Sequence, residues 1–165
     1  MSNKLYFRYG TMGSSKSANM IMTAYNYRKQ GKKVMIIKPG VDTRDEKKSV
    51  VSRAGIQIEV DLLVYDFTFI DQYIDIQTDC VLIDECQFLQ VKHIEQLRNI
   101  TKICPVICYG LRTDYMTNLF PASKRLMELA DSIEEVKTTC VYCNKKAIIN
   151  AKYKTENKKI VILKS

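Results

Sequence analysis

The chain has 165 residues, 46% of them hydrophobic, and its 26 lysines and arginines against 18 aspartates and glutamates give a formal net charge of +8. This length allows one compact domain with at most a small appendage. Neither a secretory leader nor an apolar stretch of membrane length occurs, so we expect a soluble, cytoplasmic protein with no membrane partner.

The basic charge and the six cysteines each suggest a function that the pattern does not support. The lysines and arginines are scattered and lack the interleaved aromatic residues of a nucleic-acid-binding module. A solvated basic face is the favoured interpretation, and nucleic acid is not an expected partner. Without a secretion leader, the cysteines are expected to be reduced thiols rather than a disulfide framework.

The first predicted elements are a strand and a helix that flank a glycine-containing turn. Leu5–Tyr9 is a short aromatic-rich run that is typical of a strand. Apolar residues then recur at helical spacing from Ser17 to Gln30, and Gly31 supplies a helix stop. A phosphate bound in the turn would therefore lie at the positive end of a helix dipole.

The turn itself resembles a phosphate-binding loop. Gly10, Lys16 and Ser17 match Gly-x-x-x-x-Gly-Lys-Ser/Thr, in which backbone N–H groups cradle phosphates, the lysine reaches them and the hydroxyl helps to hold Mg²⁺. Ser15 stands at the second glycine position, so the match is imperfect. The predicted phosphate-binding residues are Gly10, Thr11, Met12, Gly13, Ser14, Ser15, Lys16 and Ser17.

A second strand at Lys33–Lys38 completes a strand–helix–strand unit, with its two strands parallel but not necessarily adjacent. The polar stretch from Val41 to Gly55 lacks periodicity and predicts a long mobile loop. Arg44 and Arg53 lie in this stretch and either approach phosphates or are simply solvated.

An acidic pair follows the apolar run Cys80–Ile83. Such a run is typical of a fully buried parallel strand, and the active sites of open α/β sheets collect at the carboxyl ends of their strands. Asp84 fits the acid that lies near Mg²⁺, and Glu85 is the better candidate for a general base. A structural acid pair would be favoured only if no phosphate loop preceded it.

The later elements repeat the alternation of helix and strand, ending with a strand at Ser132–Val136 that closes the sheet. The predicted fold class is therefore α/β, with a P-loop (RecA-like) parallel sheet and flanking helices. Residues 1–137 are expected to form the nucleotide-binding domain. Residues 138–165 would form a small lobe that contains Cys140 and Cys143.

Four stretches, taken together and in this order, resemble the type II, or cellular-type, thymidine kinase family. The similarity covers residues 5 to about 154. The stretches are Gly10–Ser17, Asp42–Arg44, Asp84–Phe88, and Tyr109–Tyr115 leading to Cys140–Cys143. The resemblance implies transfer of the ATP γ-phosphate to the 5′-hydroxyl of thymidine, with ATP and Mg²⁺ required.

The same resemblance implies roles for individual residues. Glu85 matches the catalytic base, and Arg44 lies in a segment that helps to order phosphates. The family also implies a homotetramer and a small C-terminal, zinc-ribbon-like β lobe. The positions that match the nucleoside pocket are Gln87, Phe88, Leu111 and Tyr115.

Zinc binding stays open at this point. Cys140 and Cys143 have the spacing of one half of a tetrahedral zinc site. Cys104 and Cys108 cannot be the second half if they share a strand, because their Cα atoms would then lie about 13 Å apart. The pair either binds zinc with ligands from outside this sequence or consists of two free thiols.

The family pattern continues beyond the position of Ser165 into a second metal-ligand pair and a lasso-like loop that closes over the nucleoside. We therefore expect either a truncated chain or a naturally short relative. The alternative function is a lidless relative that binds nucleotide with little or no kinase turnover, and nucleic-acid binding ranks last.

Overall fold

The computed structural model describes residues 2–40, 48–156 and 159–162. The strands are β1 (Leu5–Tyr9), β2 (Val34–Pro39), β3 (Ser49–Val51), β4 (Gln57–Glu59), β5 (Leu62–Val64), β6 (Cys80–Ile83), β7 (Val106–Gly110), β8 (Ser132–Glu135), β9 (Tyr153–Glu156) and β10 (Lys159–Ile162). The α-helices are α1 (Lys16–Lys29), α2 (Val91–Ile100) and α3 (Pro121–Leu129), and short 3₁₀ helices cover Ile70–Tyr73 and Cys86–Phe88.

Six strands form one sheet in the order β5-β2-β6-β7-β1-β8. Every neighbouring pair in it is parallel, which confirms the predicted α/β P-loop class. β6 and β7 lie between β1 and β2, so the first two strands are parallel without being adjacent, as predicted. This order brings the carboxyl ends of β1, β6 and β7 together at one edge of the sheet.

Helices cover both faces of the sheet because successive strand residues point to opposite sides. In β6, Val81 and Ile83 join the core beneath α2 and α3, whereas Cys80 and Leu82 join the core beneath α1. All four side chains are fully buried. A strand that is buried on both faces reads as a continuous apolar run, which is why it was recognisable in the sequence.

The predicted mobile loop from Val41 to Gly55 is wrong for residues 48–55. There β3 pairs antiparallel with β4, and Ser52 closes the turn by donating its N–H to the Ile56 carbonyl oxygen at 2.8 Å. Val50 is 1% exposed and packs in the core beneath α1, so burial of this side chain anchors the hairpin. A strand of three residues is too short to show a clear hydrophobic pattern in the sequence. Arg44 lies in residues 41–47, outside the described residues.

The chain after β8 contributes a separate antiparallel pair, β9 and β10. A short bridge between Thr139 and Lys146 precedes it and encloses the two cysteines of the predicted lobe. Across the described parts of the chain, no helix is long and apolar enough to cross a membrane.

Candidate active site

The phosphate loop connects β1 to α1 and needs two residues in the left-handed region of backbone space. Gly13 has φ +81° and Ser15 has φ 63°, and α1 begins directly after Ser15. A Cβ atom on Gly10 would lie 2.5 Å from the Val136 carbonyl oxygen and would also collide with Ser14. The loop is therefore tightly folded against β8, and its N–H groups lie at the helix N-terminus, where phosphates bind.

Lys16 is folded back onto this loop. Its Nζ donates hydrogen bonds to the carbonyl oxygens of Gly10 at 3.0 Å and Thr11 at 2.8 Å, and to Ser14 Oγ at 3.1 Å. Burial lowers the pKa of Lys16, while the neighbouring carboxylates of Glu85 and Asp84 oppose that shift. A bound anion would favour the charged amine in the same way, so the site suits a polyphosphate.

Ser17 and Asp84 meet across the gap between α1 and β6. The Ser17 hydroxyl lies 3.2 Å and 3.3 Å from the two carboxylate oxygens of Asp84. Asp84 is 4% exposed. Burial raises its pKa to about 6, the negative charge of Glu85 adds to the rise, and the Ser17 hydrogen bond opposes it. A buried carboxylate beside a hydroxyl supplies hard oxygen donors, and among the described residues no salt bridge pairs Asp84 with a lysine or arginine. Such a donor set fits Mg²⁺.

Glu85 follows in an unusual backbone conformation, with φ 52° and ψ 38°. For a residue with a Cβ atom this left-handed geometry is costly, and such residues cluster at functional sites. The turn directs Glu85 into a cavity of about 430 Å³ that the phosphate loop also lines. The structure thus brings the predicted base and the predicted phosphate site to one cavity.

Three of the four predicted nucleoside-pocket residues, Gln87, Phe88 and Leu111, line the cavity with Glu85. The exposed Phe88 ring packs edge-to-face on Phe120 at 5.9 Å. Gln87 is only 2% exposed, and its amide is bonded within the protein. Tyr115 is not among the residues that line this cavity, and its ring instead contacts Lys152, whose Nζ is 5.3 Å from the ring centroid.

Two polar residues that the sequence did not assign reach the phosphate loop. Arg53, at the tip of the β3–β4 hairpin, places Nη1 3.1 Å from where a Cβ atom of Gly13 would lie. Asn150 Oδ1 accepts the Met12 N–H at 2.8 Å. From the sequence, Arg53 could either contact phosphate or be solvated. Asn150 belongs to no motif that could have indicated its position.

Cys140 and Cys143 lie on a tight turn. The Cys140 sulfur accepts the Tyr142 N–H at 3.4 Å, and the backbone N–H groups of Tyr142 and Cys143 lower the Cys140 pKa. Such N–H···S contacts favour a thiolate, the form that binds metal. Within the described ranges, no group of three or more potential metal ligands occurs.

A parallel sheet, a glycine-containing loop that opens a helix, and a hydroxyl–carboxylate pair at the end of β6 together define a P-loop nucleotide-binding protein. The sequence model for thymidine kinase matches residues 3–164. The chain therefore belongs to the thymidine kinase family.

Individual relatives agree over nearly the whole chain. A thymidine kinase of Streptococcus agalactiae serotype Ia is 44% identical over 163 residues, which cover 96% of this chain and 85% of the relative. The enzyme of Shouchella clausii is 43% identical over 95% of this chain and 84% of its own. That of Enterobacteria phage T4 is 42% identical over 90% of this chain and 79% of its own.

Among solved structures, the Pif1 helicase of Candida albicans aligns with 82% of this chain and 36% of its own, at a TM-score of 0.45 and 14% identity. That score is too low to inform the fold.

Membership of the family confirms the predicted reaction, transfer of a phosphoryl group from ATP to thymidine with Mg²⁺. The alternative of a relative without turnover gains no support.

Proposed function

We propose that the strand-end cluster of Lys16, Ser17, Asp84 and Glu85 carries out phosphoryl transfer to thymidine. The observation that carries this assignment is the contact between Ser17 and Asp84, which joins the phosphate loop to the acidic pair. Glu85 lines the same cavity as Lys16. A lysine, a hydroxyl and two carboxylates in this arrangement are the groups that phosphoryl transfer requires for alignment and charge stabilisation.

Glu85 is the proposed general base. Its carboxylate accepts the proton of the thymidine 5′-hydroxyl as that oxygen forms a bond to the γ-phosphorus of ATP, and the bond from phosphorus to the bridging oxygen of ADP breaks. Lys16 leaves its contacts with the loop carbonyls and places its charge on the transferring phosphate. The loop N–H groups from Gly10 to Ser17 hold the remaining phosphate oxygens, and Arg44 is proposed to assist them.

Mg²⁺, when bound, neutralises charge on the β- and γ-phosphates. Ser17 and Asp84 are the residues proposed to hold it, the carboxylate through the water shell of the ion. The raised pKa of Asp84, about 6, supports this role because a cation would favour the charged form that burial disfavours.

Thymidine is proposed to bind between Phe88 and Leu111. Both side chains line the cavity that contains Glu85, and Phe88 is 51% exposed and so presents a ring face to a pyrimidine. Tyr115 remains a proposed part of the pocket on the basis of the family resemblance alone.

Further proposals concern the lobe and the assembly. Cys140 and Cys143 are proposed to supply two zinc ligands, supported by the N–H contacts that favour thiolate at Cys140. Residues 138–165 are proposed as a lobe distinct from the nucleotide-binding domain 1–137. The resemblance supports a homotetramer and a cytoplasmic location.

The base assignment is tested with Glu85→Gln, which keeps the size of the side chain and removes its capacity to accept a proton. We expect kcat for thymidine to fall roughly 10²–10⁴-fold. Calorimetric binding of Mg-ATP should be retained, because the loop is untouched. Glu128→Gln, at an exposed ion pair on α3, is the matched control and should retain full activity. An unchanged kcat in Glu85→Gln would exclude the base role.

A further inference from the structure

The side chain of Gln87 bridges the proposed base and the end of β7. Its Oε1 accepts the Leu111 N–H at 3.0 Å, and its Nε2 donates to Glu85 Oε2 at 2.5 Å. A backbone N–H can only donate, so the acceptor end of the Gln87 amide, its oxygen, must face Leu111. The amide NH₂ is then left to face the carboxylate, and the orientation of the side chain is fixed by both partners.

The backbone around this bridge leaves room for it and for little else. A Cβ atom on Gly110 would lie 2.5 Å from Gln87 Oε1, 2.6 Å from Cys86 Sγ and 3.1 Å from the Cys86 nitrogen. The Gln87 amide therefore reaches the Leu111 N–H only because residue 110 is glycine. Gln87 is 2% exposed, so water does not compete for its hydrogen bonds.

The Glu85 carboxylate depends on this bridge for its position. Within the described residues, Gln87 is the side chain that hydrogen-bonds it, and the bond engages Oε2. Oε1 is left to meet a substrate hydroxyl. The left-handed backbone at Glu85, with φ 52°, starts the short 3₁₀ turn that returns Gln87 to within reach of the carboxylate two residues earlier.

We propose that Gln87 is a positioning residue for phosphoryl transfer: anchored on the Leu111 N–H, it holds the Glu85 carboxylate in the orientation that accepts the proton of the nucleoside hydroxyl. This inference rests on the proposed base role of Glu85. It gives Gln87 a different role from the nucleoside contact predicted by family resemblance, because both ends of its amide are already occupied.

The proposal predicts which kinetic constant changes. Gln87→Met has similar length but can neither donate to Glu85 nor accept from Leu111. We expect kcat for thymidine to fall by roughly 10–100-fold, since a misplaced catalytic group can cost about 10²-fold. The KM for thymidine should change by less than about threefold, because Gln87 offers the nucleoside almost no surface.

A double-mutant cycle with Glu85→Gln separates positioning from a general structural role. If Gln87 acts through Glu85, adding Gln87→Met to Glu85→Gln should lower kcat no further than about twofold. Losses that multiply in the double variant would overturn the proposal. So would a raised KM for thymidine with kcat unchanged, since that result identifies a nucleoside ligand.

A second variant guards against misfolding, because Gln87→Met leaves the buried Leu111 N–H without an acceptor. Gln87→Glu retains that acceptor and places a second carboxyl group against Glu85. Two carboxyl groups this close share a proton, so kcat should fall and its pH profile should move to higher pH. Full kcat with an unchanged pH profile in a folded Gln87→Glu variant would contradict the proposal. If Glu85→Gln alone keeps its activity, the base assignment itself fails, which is a separate outcome from the failure of Gln87.

Discussion

The candidate active site consists of two regions that are built differently. The strand-end cluster of Lys16, Ser17, Asp84 and Glu85 lies beyond the ends of β1 and the fully buried β6. Its polar atoms are bonded to one another, to the loop or to the buried Gln87. The covering elements, which are the β3–β4 hairpin and residues 138–156, are largely exposed: β9 has no buried residue, and Arg53 and Cys143 are exposed.

This difference shows where the protein places fixed and adaptable groups. Groups that must be aligned with the reacting phosphorus gain their positions from the sheet, whose packing leaves few alternatives. Groups that meet the substrates from outside have little burial to hold them, so ligand contacts must supply part of their order. Substitutions in the cluster should therefore change kcat, and substitutions in the covering elements should mainly change substrate affinity.

The largest effect is expected for Lys16→Met. If Lys16 contacts the transferring phosphate as proposed, removing its charge removes that stabilisation, and we expect kcat to fall roughly 10²–10³-fold. Steady-state kinetics with saturating ATP and thymidine measures the effect. Lys102→Met is the matched control, since this exposed lysine precedes β7 at the opposite edge of the sheet and should retain activity. A loss smaller than about tenfold would contradict a fixed cationic role.

Asp84→Asn tests the cost of the buried carboxylate. The pKa of Asp84 is raised from 3.8 to about 6 in the folded state, so the folded protein binds a proton more readily than the unfolded chain between these values. The free energy of unfolding should therefore fall as pH rises through this window. Asparagine cannot ionise, so without metal or nucleotide the variant should be more stable than the natural protein above about pH 7, by at most roughly 3 kcal/mol.

Urea unfolding in the presence of a chelator measures this difference. Near pH 4 the advantage of Asp84→Asn should vanish, because the natural side chain is then largely protonated. A stability difference that stays constant between about pH 4 and pH 8 would show that Asp84 does not titrate in this window. Kinase activity should be lost in the same variant if Asp84 holds the metal.

Arg53→Gln tests the covering elements. A charge-assisted hydrogen bond to phosphate contributes about 1.5–3 kcal/mol when well formed, and the exposure of Arg53 places the expected loss at the lower end, about a tenfold rise in the KM for ATP. Arg53→Lys should recover part of this affinity by retaining the charge. If the KM for ATP is unchanged at low salt, Arg53 is a solvated residue and the hairpin does not contact the nucleotide.

The same contrast explains what the sequence could predict. The parallel sheet and the Ser17–Asp84 contact follow from patterns of fixed spacing: an apolar run buried on both faces, and a loop motif that requires a strand before it and a helix after it. These features depend on local chemistry and on the rule that active sites lie at carboxyl ends of strands. The six-stranded order and the contact distances were visible only in three dimensions.

The covering elements were less predictable because long-range packing determines them. The β3–β4 hairpin is held by Val50 against α1, and nothing within residues 48–55 indicates which helix lies there. Asn150 reaches the Met12 N–H across 138 positions of sequence. The bridge from Gln87 to Leu111 likewise requires that the ends of β6 and β7 be adjacent, which only the sheet order reveals.

The smallest expected effect concerns Ser15, where the loop departs from glycine. Ser15 has φ 63° and ψ 20° and makes no side-chain cap hydrogen bond to α1. The left-handed conformation costs a residue with a Cβ atom about 1–2 kcal/mol, and glycine avoids this cost. Glycine also makes the unfolded chain more flexible, which lowers the stability of the folded protein by roughly 0.4–1 kcal/mol and offsets part of the gain. Ser15→Gly should therefore raise the free energy of unfolding by about 0.5 kcal/mol. It should leave kcat unchanged, because the loop already has the conformation that glycine would adopt.

Ser15→Ala is the control: it keeps the Cβ atom and should match the natural protein in urea unfolding. A less stable Ser15→Gly variant would mean that the serine hydroxyl stabilises the loop through a contact that outweighs its backbone strain.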